Sequence, residues 1–448
     1  MNPPLAEQAE AAAAGVVEAA VITDKRNKAA FALIVILWIV AIMGTITMLF
    51  TRKANLTLKI SRNVNQSIKA ELLAEAGIYK TIADLVLDKE ESMSDNATET
   101  WYDNQEANFD VPLGDGVYRI YHPNAAEVNS IRYGAWDECS KLNMNTATRE
   151  MLLRLPQADP EIIDPLLDWR DEDENPREFG AEDEYYQSLE EPFITKNALF
   201  DTVDELMLVK NMTVSILYGE DLNINGILDA NENDGEQNYP IDNGDGQLDR
   251  GWHPYITCYS YETNEDSMGE SRVNVNSANN NELRNALSET LSNNDINAIV
   301  EARDEEEFES IADVWAVDGI SRDEFKKIAD KITVSDEDQL QGRVNINTAP
   351  SQVLQCLLGE ENQEIVEAII EYRQSSEGPF ESIGQLLDVD GINQNQFSQM
   401  ANSICTKSSV FSIRAAGYIE ESKTYKEVYA IVDRGEDPPK IRYWKVIR

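Results

Sequence analysis

Residues 221–232 read DLNINGILDANE, and this stretch puts an oxygen-bearing side chain at every second position ahead of a tight turn. Asp221, Asn223 and Asn225 fall at positions 1, 3 and 5 of a twelve-residue loop. Gly226 supplies the sharp turn at 6, Ile227 a backbone carbonyl at 7 and Leu228 an apolar anchor at 8. Asp229 sits at 9, and Glu232 at 12 can chelate with both oxygens. Hard oxygen donors in this order suit Ca2+. A second cluster, DNGDGQLD (242–249), does not keep that register: aligned on Gly246, position 1 is Ile241 and position 12 is Trp252. Asp242, Asn243, Asp245 and Asp249, with Asp234, are expected to make an irregular second calcium site. The role of both is structural, since a cation neutralises carboxylates that repel and orders the loop they share.

Other chemistry has little material. Acids outnumber bases 82 to 38, a formal charge of −44, which argues against nucleic acid and anionic lipid as partners. Cys139, Cys258, Cys356 and Cys405 make no C-x-x-C, so a zinc or thioredoxin-like motif is not indicated. They read as buried thiols, with one or two disulfides open if the bulk lies outside the cytoplasm. His122 and His253 are the only histidines. The insertion DWRDEDENPREFGAEDEYYQSLEEPF (168–193) is rich in carboxylates but shows no nucleophile or base partner, and reads as a structured loop capping helices. No enzymatic activity is expected.

These residues need a frame. Ala29 to Phe50 is a run of 22 uncharged residues, long enough to span a bilayer as a helix and longer than a cleaved secretory core. Lys25, Arg26 and Lys28 precede it, which puts the N-terminus in the cytoplasm and the bulk outside. Ile60, Val64, Ile68, Leu72, Ala76, Tyr79, Ala83 and Val86 continue at helical spacing, predicting an amphipathic stripe on the same unbroken helix.

Three segments repeat: LNMNTATREMLLRL (142–155), VNVNSANNNELRNAL (273–287) and VNINTAPSQVLQCLL (344–358). Each runs from an apolar/Asn alternation through a Thr or Ser cap into a helix. Further helices follow, with turns at Asn211, Gly319 and Gly391, residues that tolerate positive φ. The pattern resembles helix-hairpin-helix modules, read here as packing units because Asp318 and Asp390 sit in the hairpins. Strands are predicted at VYRIYH (117–122), YITCYSYE (255–262), VFSIRAAGYI (410–419), TYKEVYAIVD (424–433) and, at an edge, KIRYWKVIR (440–448).

FALIVILWIVAIMGTI followed by SIKAELLAEAGIYKTIADL, together with the D-W-x-D-x-D-x-x-P…G-A-E…Y-Y frame, closely resembles the minor pseudopilin K family of type II secretion (general secretion pathway protein K). The resemblance implies an α+β fold: a pilin-like long N-terminal helix on an antiparallel sheet, with a large inserted α-helical domain containing helix-hairpin-helix-like repeats. It implies removal of a cytoplasmic leader by a prepilin peptidase between Ala30 and Phe31, where Ala30 replaces the family's usual Gly. Val35 stands at the fifth mature position, where most pilins carry Glu and the K family does not. Calcium in the region of 221–249 is likewise implied.

The layout expected is a leader (1–30), a transmembrane segment (31–50), an amphipathic helix with the first strands (51–140), a first repeat with its acidic insertion (141–218), a calcium-loop region (219–252), a strand and second repeat (253–342), a third repeat (343–405) and C-terminal strands (406–448). The expected function is to cap the tip of the type II secretion pseudopilus, anchored once in the inner membrane with the bulk periplasmic, beside other minor pseudopilins and without nucleic acid. The competing reading is a helix-hairpin-helix DNA-binding component of a pilus-linked uptake system.

Overall fold

The computed structural model describes residues 5–235 and 237–447; the first four residues of the expected leader and the last residue of the C-terminal segment lie outside them. Helix α1 runs without a break over Leu5–Glu91. The chain divides into two compact units, residues up to 68 and residues from 69 onward. In the first, the apolar run is exposed throughout, with Trp38 and Phe50 among the most accessible side chains. This is the one candidate membrane span among the described residues.

In the second unit the end of α1 packs on a six-stranded antiparallel sheet. Its strands are β1 (Val111–Leu113), β2 (Gly116–Ile120), β3 (Trp136–Asp137), β4 (Val410–Ile419), β5 (Thr424–Asp433) and β6 (Lys440–Val446). The order is β1-β2-β4-β5-β6, with β3 pairing farther along β4. Ala416 faces Arg119 and Ser412 faces Trp136, so β2 and β3 share one edge of β4. The two long strands, rich in β-branched residues, keep the boundaries that their sequences predict, and β6 is the edge. The expected strand at 255–262 is instead two short pieces, Ile256–Thr257 and Tyr261–Thr263, each pairing elsewhere.

The phase of the amphipathic helix corrects the sequence reading. Leu72 and Tyr79 of the expected stripe are exposed, as are Ile60, Val64 and Ile68. The residues buried on the sheet are Ala70, Leu73, Ala74, Gly77, Ile78, Thr81 and Leu85. The reason is close approach. A Cβ at Gly417 of β4 would fall on the Ala70 carbonyl, and one at Gly77 would lie 2.7 Å from Ile120. Small residues stand where the backbones approach most closely, Leu73, Ile78 and Leu85 fill the rest of the contact face, and Leu72 and Tyr79 are turned outward.

Residues 138–409 form a helical body inserted between β3 and β4. Its main helices are α2 (Pro160–Arg170) in the first repeat, α3 (Asn280–Leu287) and α4 (Asn293–Glu305) in the second, and α5 (Ser351–Leu358) and α6 (Gln363–Gln374) in the third. One continuous apolar core joins all three, with Leu166, Leu283 and Ile369 buried in it.

The Asn residues of the repeated segments explain themselves. Asn143, Asn274 and Asn345 each accept from the N–H two residues on. Asn145, Asn276 and Asn347 pair reciprocally with the backbone of Phe200, Phe308 and Phe380. One arginine per repeat closes the unit: Arg170 donates to the Met144 and Ala147 carbonyls, Arg303 to Val275 and Ala278, and Arg373 to Ile346 and Ala349. A two-residue parallel strand pair seals each repeat, Leu142–Asn143 with Ile256–Thr257, Val273–Asn274 with Ile332–Thr333, and Val344–Asn345 with Ile404–Cys405.

Candidate calcium loop and its framework

The loop opens where the helix Val214–Tyr218 stops at Gly219, whose φ of +63° only a residue without Cβ adopts easily. Side-chain space is also closed there, because a Cβ would meet the Asp249 carbonyl. The Glu220 N–H donates to that same carbonyl at 2.7 Å. Its carboxylate accepts from the N–H groups of Asn243 and Asp249 at 3.2 and 3.3 Å. Glu220, which the sequence reading passed over, thus ties the two acidic clusters together. Its only sequence signal is its place directly before Asp221.

Inside the loop, Asp221 is buried and accepts from Asn225 N–H at 2.9 Å and Gly226 N–H at 2.8 Å. Gly226 takes φ +73°, as the turn requires. Asp229 receives the side-chain amides of Asn223 and Asn225 at 2.7 and 3.0 Å. The Asn225 side-chain oxygen accepts from Ile227 N–H at 2.6 Å. Glu232 is 1% exposed and accepts from Asp229 N–H at 3.0 Å. Arg414 of β4 donates to the carbonyls of Asn223 and Ile224, which fastens the loop to the sheet.

The electrostatics are those of crowded anions. Burial, then the charges of Asp221, Asp229 and Glu220, push Glu232 up to about 7, against the Asp229 N–H. Burial raises Asp221 despite its two N–H donors and the nearby Arg414 and Arg250. Asp229 is brought onto Asn223 and Asn225. As a set, however, the Asp221, Asp229 and Glu232 oxygens are not among the clusters within 4.8 Å found in the described residues. The donor set is all oxygen, its turn is formed, and its two most buried carboxylates repel. These residues fit a hard divalent cation.

The second cluster is arranged differently. Asp242 accepts from the N–H groups of Asp234, Gly235 and Gly244, between 2.7 and 3.0 Å. Asn243 and Asp245 each accept from the N–H two residues on, and Asp234 holds Asn238. Asp249 enters through its backbone contacts to Glu220. The structure therefore makes Asp242 the organiser of a turn, with its oxygens engaged by backbone donors.

The histidines and cysteines are placed as packing groups. Burial lowers both His122 and His253 to about 4. His122 contacts the Pro123 carbonyl at 2.9 Å and stacks on Trp136. Cys139, Cys356 and Cys405 are buried, Cys258 is half-buried, and all four are free thiols. Asp318 and Asp390 are exposed at the hairpin turns, where Gly319 and Gly391 take φ +102° and +86°.

A long apolar helix whose continuation packs on an antiparallel sheet, with a helical body inserted into that sheet, is an α+β pilin-like arrangement. Residues 137–218 and 273–335 match family profiles described as type II secretion system (T2SS), protein K. Residues 340–405 match that of the helix-hairpin-helix motif. Over these two stretches the chain is similar to the type II secretion system protein K family. The type II secretion system protein K of Aeromonas hydrophila is 28% identical over 206 residues, 43% of this chain and 61% of that relative. The matched stretch thus spans less than two thirds of the relative's length. A chain of the solved GspK-GspI-GspJ complex from the enterotoxigenic Escherichia coli type 2 secretion system is similar at a TM-score of 0.45 and 11% identity, covering 87% of this chain and 99% of that one.

Proposed function

We propose that this chain is a minor pseudopilin that caps the tip of the type II secretion pseudopilus. The observation that carries the reading is the pairing of a spanning helix with Val35, not a carboxylate, and of a sheet with a whole helical body inserted after β3. A carboxylate in hydrocarbon costs several kcal/mol unless paired. A pilin-like subunit that carries one therefore needs a neighbour's amine, and Val35 removes that need on the outward side. The similarity to the protein K profiles supports a structural role, with other minor pseudopilins as partners. The protein named in the similar solved structure assembles with two other chains, GspI and GspJ.

In this reading a prepilin peptidase cuts between Ala30 and Phe31, the helix stays in the inner membrane, and the bulk is periplasmic. Asp221, Asn223, Asn225, Asp229, Glu232 and the Ile227 carbonyl hold a calcium ion that supplies positive charge to the loop and lets it order against β4. Asp234, Asp242, Asn243, Asp245 and Asp249 support it as the second cluster.

The full chain, purified in detergent, should not form filaments alone and should assemble with other minor pseudopilins. Homopolymeric filaments in electron micrographs would overturn the capping role. The mature chain should begin at Phe31 by mass spectrometry; a start beyond Phe50 would remove the pilin reading. Calcium at 100 times its Kd should stabilise the fold by about 2.7 kcal/mol. Glu232→Gln should lose most of that gain, and Glu371→Gln, exposed in the third repeat, should keep it. Equal responses of the two variants would remove calcium from the loop.

A further inference from the structure

The helical body leaves the sheet and returns to it at one neck. The chain goes out after Asp137 of β3 and comes back at Val410 of β4, where Phe411 faces Asp137. Polar groups hold the two ends together. Asp137, fully buried, accepts from the Cys139 N–H at 2.7 Å through one oxygen and from the Asn345 amide at 3.0 Å through the other. Asn345 stands opposite Cys405 in the parallel pair that seals the third repeat. The Tyr261 carbonyl bridges the same two ends, accepting from the Cys139 thiol at 3.4 Å and from the Ser409 N–H at 3.3 Å.

One cysteine therefore lies on each end of the insertion. Both are fully buried, and the Cys405 thiol is hydrogen-bonded to the Cys139 thiol. The other two cysteines are placed differently. Cys356 lies on α5 beside Gln352, and Cys258 is half-buried where the Asn145 amide reaches its carbonyl.

A thiol is a weak donor and a weak acceptor, so the contact between the two sulfurs holds the neck only loosely as it stands. Side chains that already touch need little backbone movement to become bonded. A bond between positions 139 and 405 would constrain almost the whole inserted body in the unfolded chain, and such stabilisation grows with the loop closed. Disulfides form and persist in oxidising compartments outside the cytoplasm.

We propose that Cys139 and Cys405 are joined by a disulfide in the working protein, a covalent clasp across the neck that holds the inserted body to the sheet. The clasp rests on the periplasmic placement of the bulk proposed above. The two thiols give up their protons, a sulfur–sulfur bond forms between them, and the two electrons reduce the disulfide of an exchange partner to two thiols. Burial holds the Cys405 thiol well above its ordinary range, so the thiolate that exchange requires is scarce once the neck has closed. The bond forms as the chain folds and is shielded from reductants afterwards.

The test is non-reducing peptide mapping by mass spectrometry. The full chain is solubilised in detergent from its own membranes, with free thiols alkylated at lysis. A peptide pair joined through Cys139 and Cys405 is expected, and Cys356→Ala should keep it. Reductant should lower the thermal midpoint of the parent and leave that of the double variant Cys139→Ala, Cys405→Ala unchanged. The parental map decides the matter even where that variant fails to fold. The side of the membrane is read separately: Ser188→Cys, at an exposed position of the first repeat, is offered to a membrane-impermeant maleimide in spheroplasts. If it is labelled while Cys139 and Cys405 are recovered alkylated, or Cys139 is joined to Cys258, the clasp is overturned. If it is not labelled, the periplasmic placement fails. The clasp is then judged on the purified chain, held with oxidised glutathione just below its urea midpoint, where local opening frees the thiols. A Cys139–Cys405 link formed there supports the pairing, and its absence overturns it.

Discussion

Glu99 shows how a single side chain can set a pH dependence. It accepts from Asn96 N–H at 3.0 Å and from the Trp101 indole at 2.8 Å. Burial, reinforced by the charge of Asp95, raises it from an ordinary 4.5 to about 7. A carboxyl with a raised folded value contributes its full stability below 4.5, and that contribution is lost as pH rises toward 7. The slope approaches about 1.4 kcal/mol per pH unit. Glu99→Gln keeps an acceptor for both donors and removes the titration. In denaturant titrations it should gain on the parent between pH 4.5 and 7 and hold that gain above 7; a difference that stays constant with pH would exclude this origin. At this scale, legibility follows sequence locality. The Asp/Asn/Gly pattern of 221–232 is contiguous, and its turn at Gly226 could be read directly. Asp171, Asp173 and Glu182 meet only because Asp168 and Gly180 close the insertion, and no spacing rule announces that.

At the scale of elements, the contacts that matter most are close backbone approaches. Gly417→Ala places a methyl group against the Ala70 carbonyl where α1 crosses β4. The overpacking should cost about 1–3 kcal/mol, and thermal unfolding of the full chain would measure it. A neutral effect would mean that the helix yields at this crossing. The repeat-closing arginines make a second case. Arg373→Met leaves the buried Ile346 and Ala349 carbonyls without their donor. A loss of about 1.5–3 kcal/mol is expected, with amide exchange accelerating first in the third repeat; uniform acceleration across the chain would argue against a local clamp. The long strands β4 and β5 were legible because β-branched and aromatic residues fill them. The two-residue parallel pairs were not, since Asn143, Asn274 and Asn345 reveal their partners only after the chain has returned through a whole repeat. The phase of α1 was misread for a related reason. Close approach at Gly77 and Gly417 fixes which face meets the sheet, and apolar spacing alone does not reveal it.

For the whole molecule, the outward turn of Leu72 and Tyr79 leaves a stripe. Leu72, Tyr79 and Leu87 are 56–58% exposed, and Ala76 and Ala83 lie between them at helical spacing. The sheet already covers the opposite face of the helix, so this stripe is the face left for another subunit's helix in the proposed pseudopilus tip. Burying Leu72 and Tyr79 against an apolar partner would contribute roughly 1.5–3 kcal/mol for each side chain. The double substitution Leu72→Glu, Tyr79→Glu would put two charges in that interface while leaving the core of the subunit untouched. Surface changes of this kind usually alter stability by no more than about 0.5 kcal/mol. The variant should therefore melt with the parent but bind co-expressed minor pseudopilins more than tenfold more weakly, a change of about 1.4 kcal/mol or more. A charge change in the exposed body, such as Glu371→Gln, should leave assembly unchanged. If the double variant assembles as the parent does, the partners dock elsewhere and the stripe has no part in the tip.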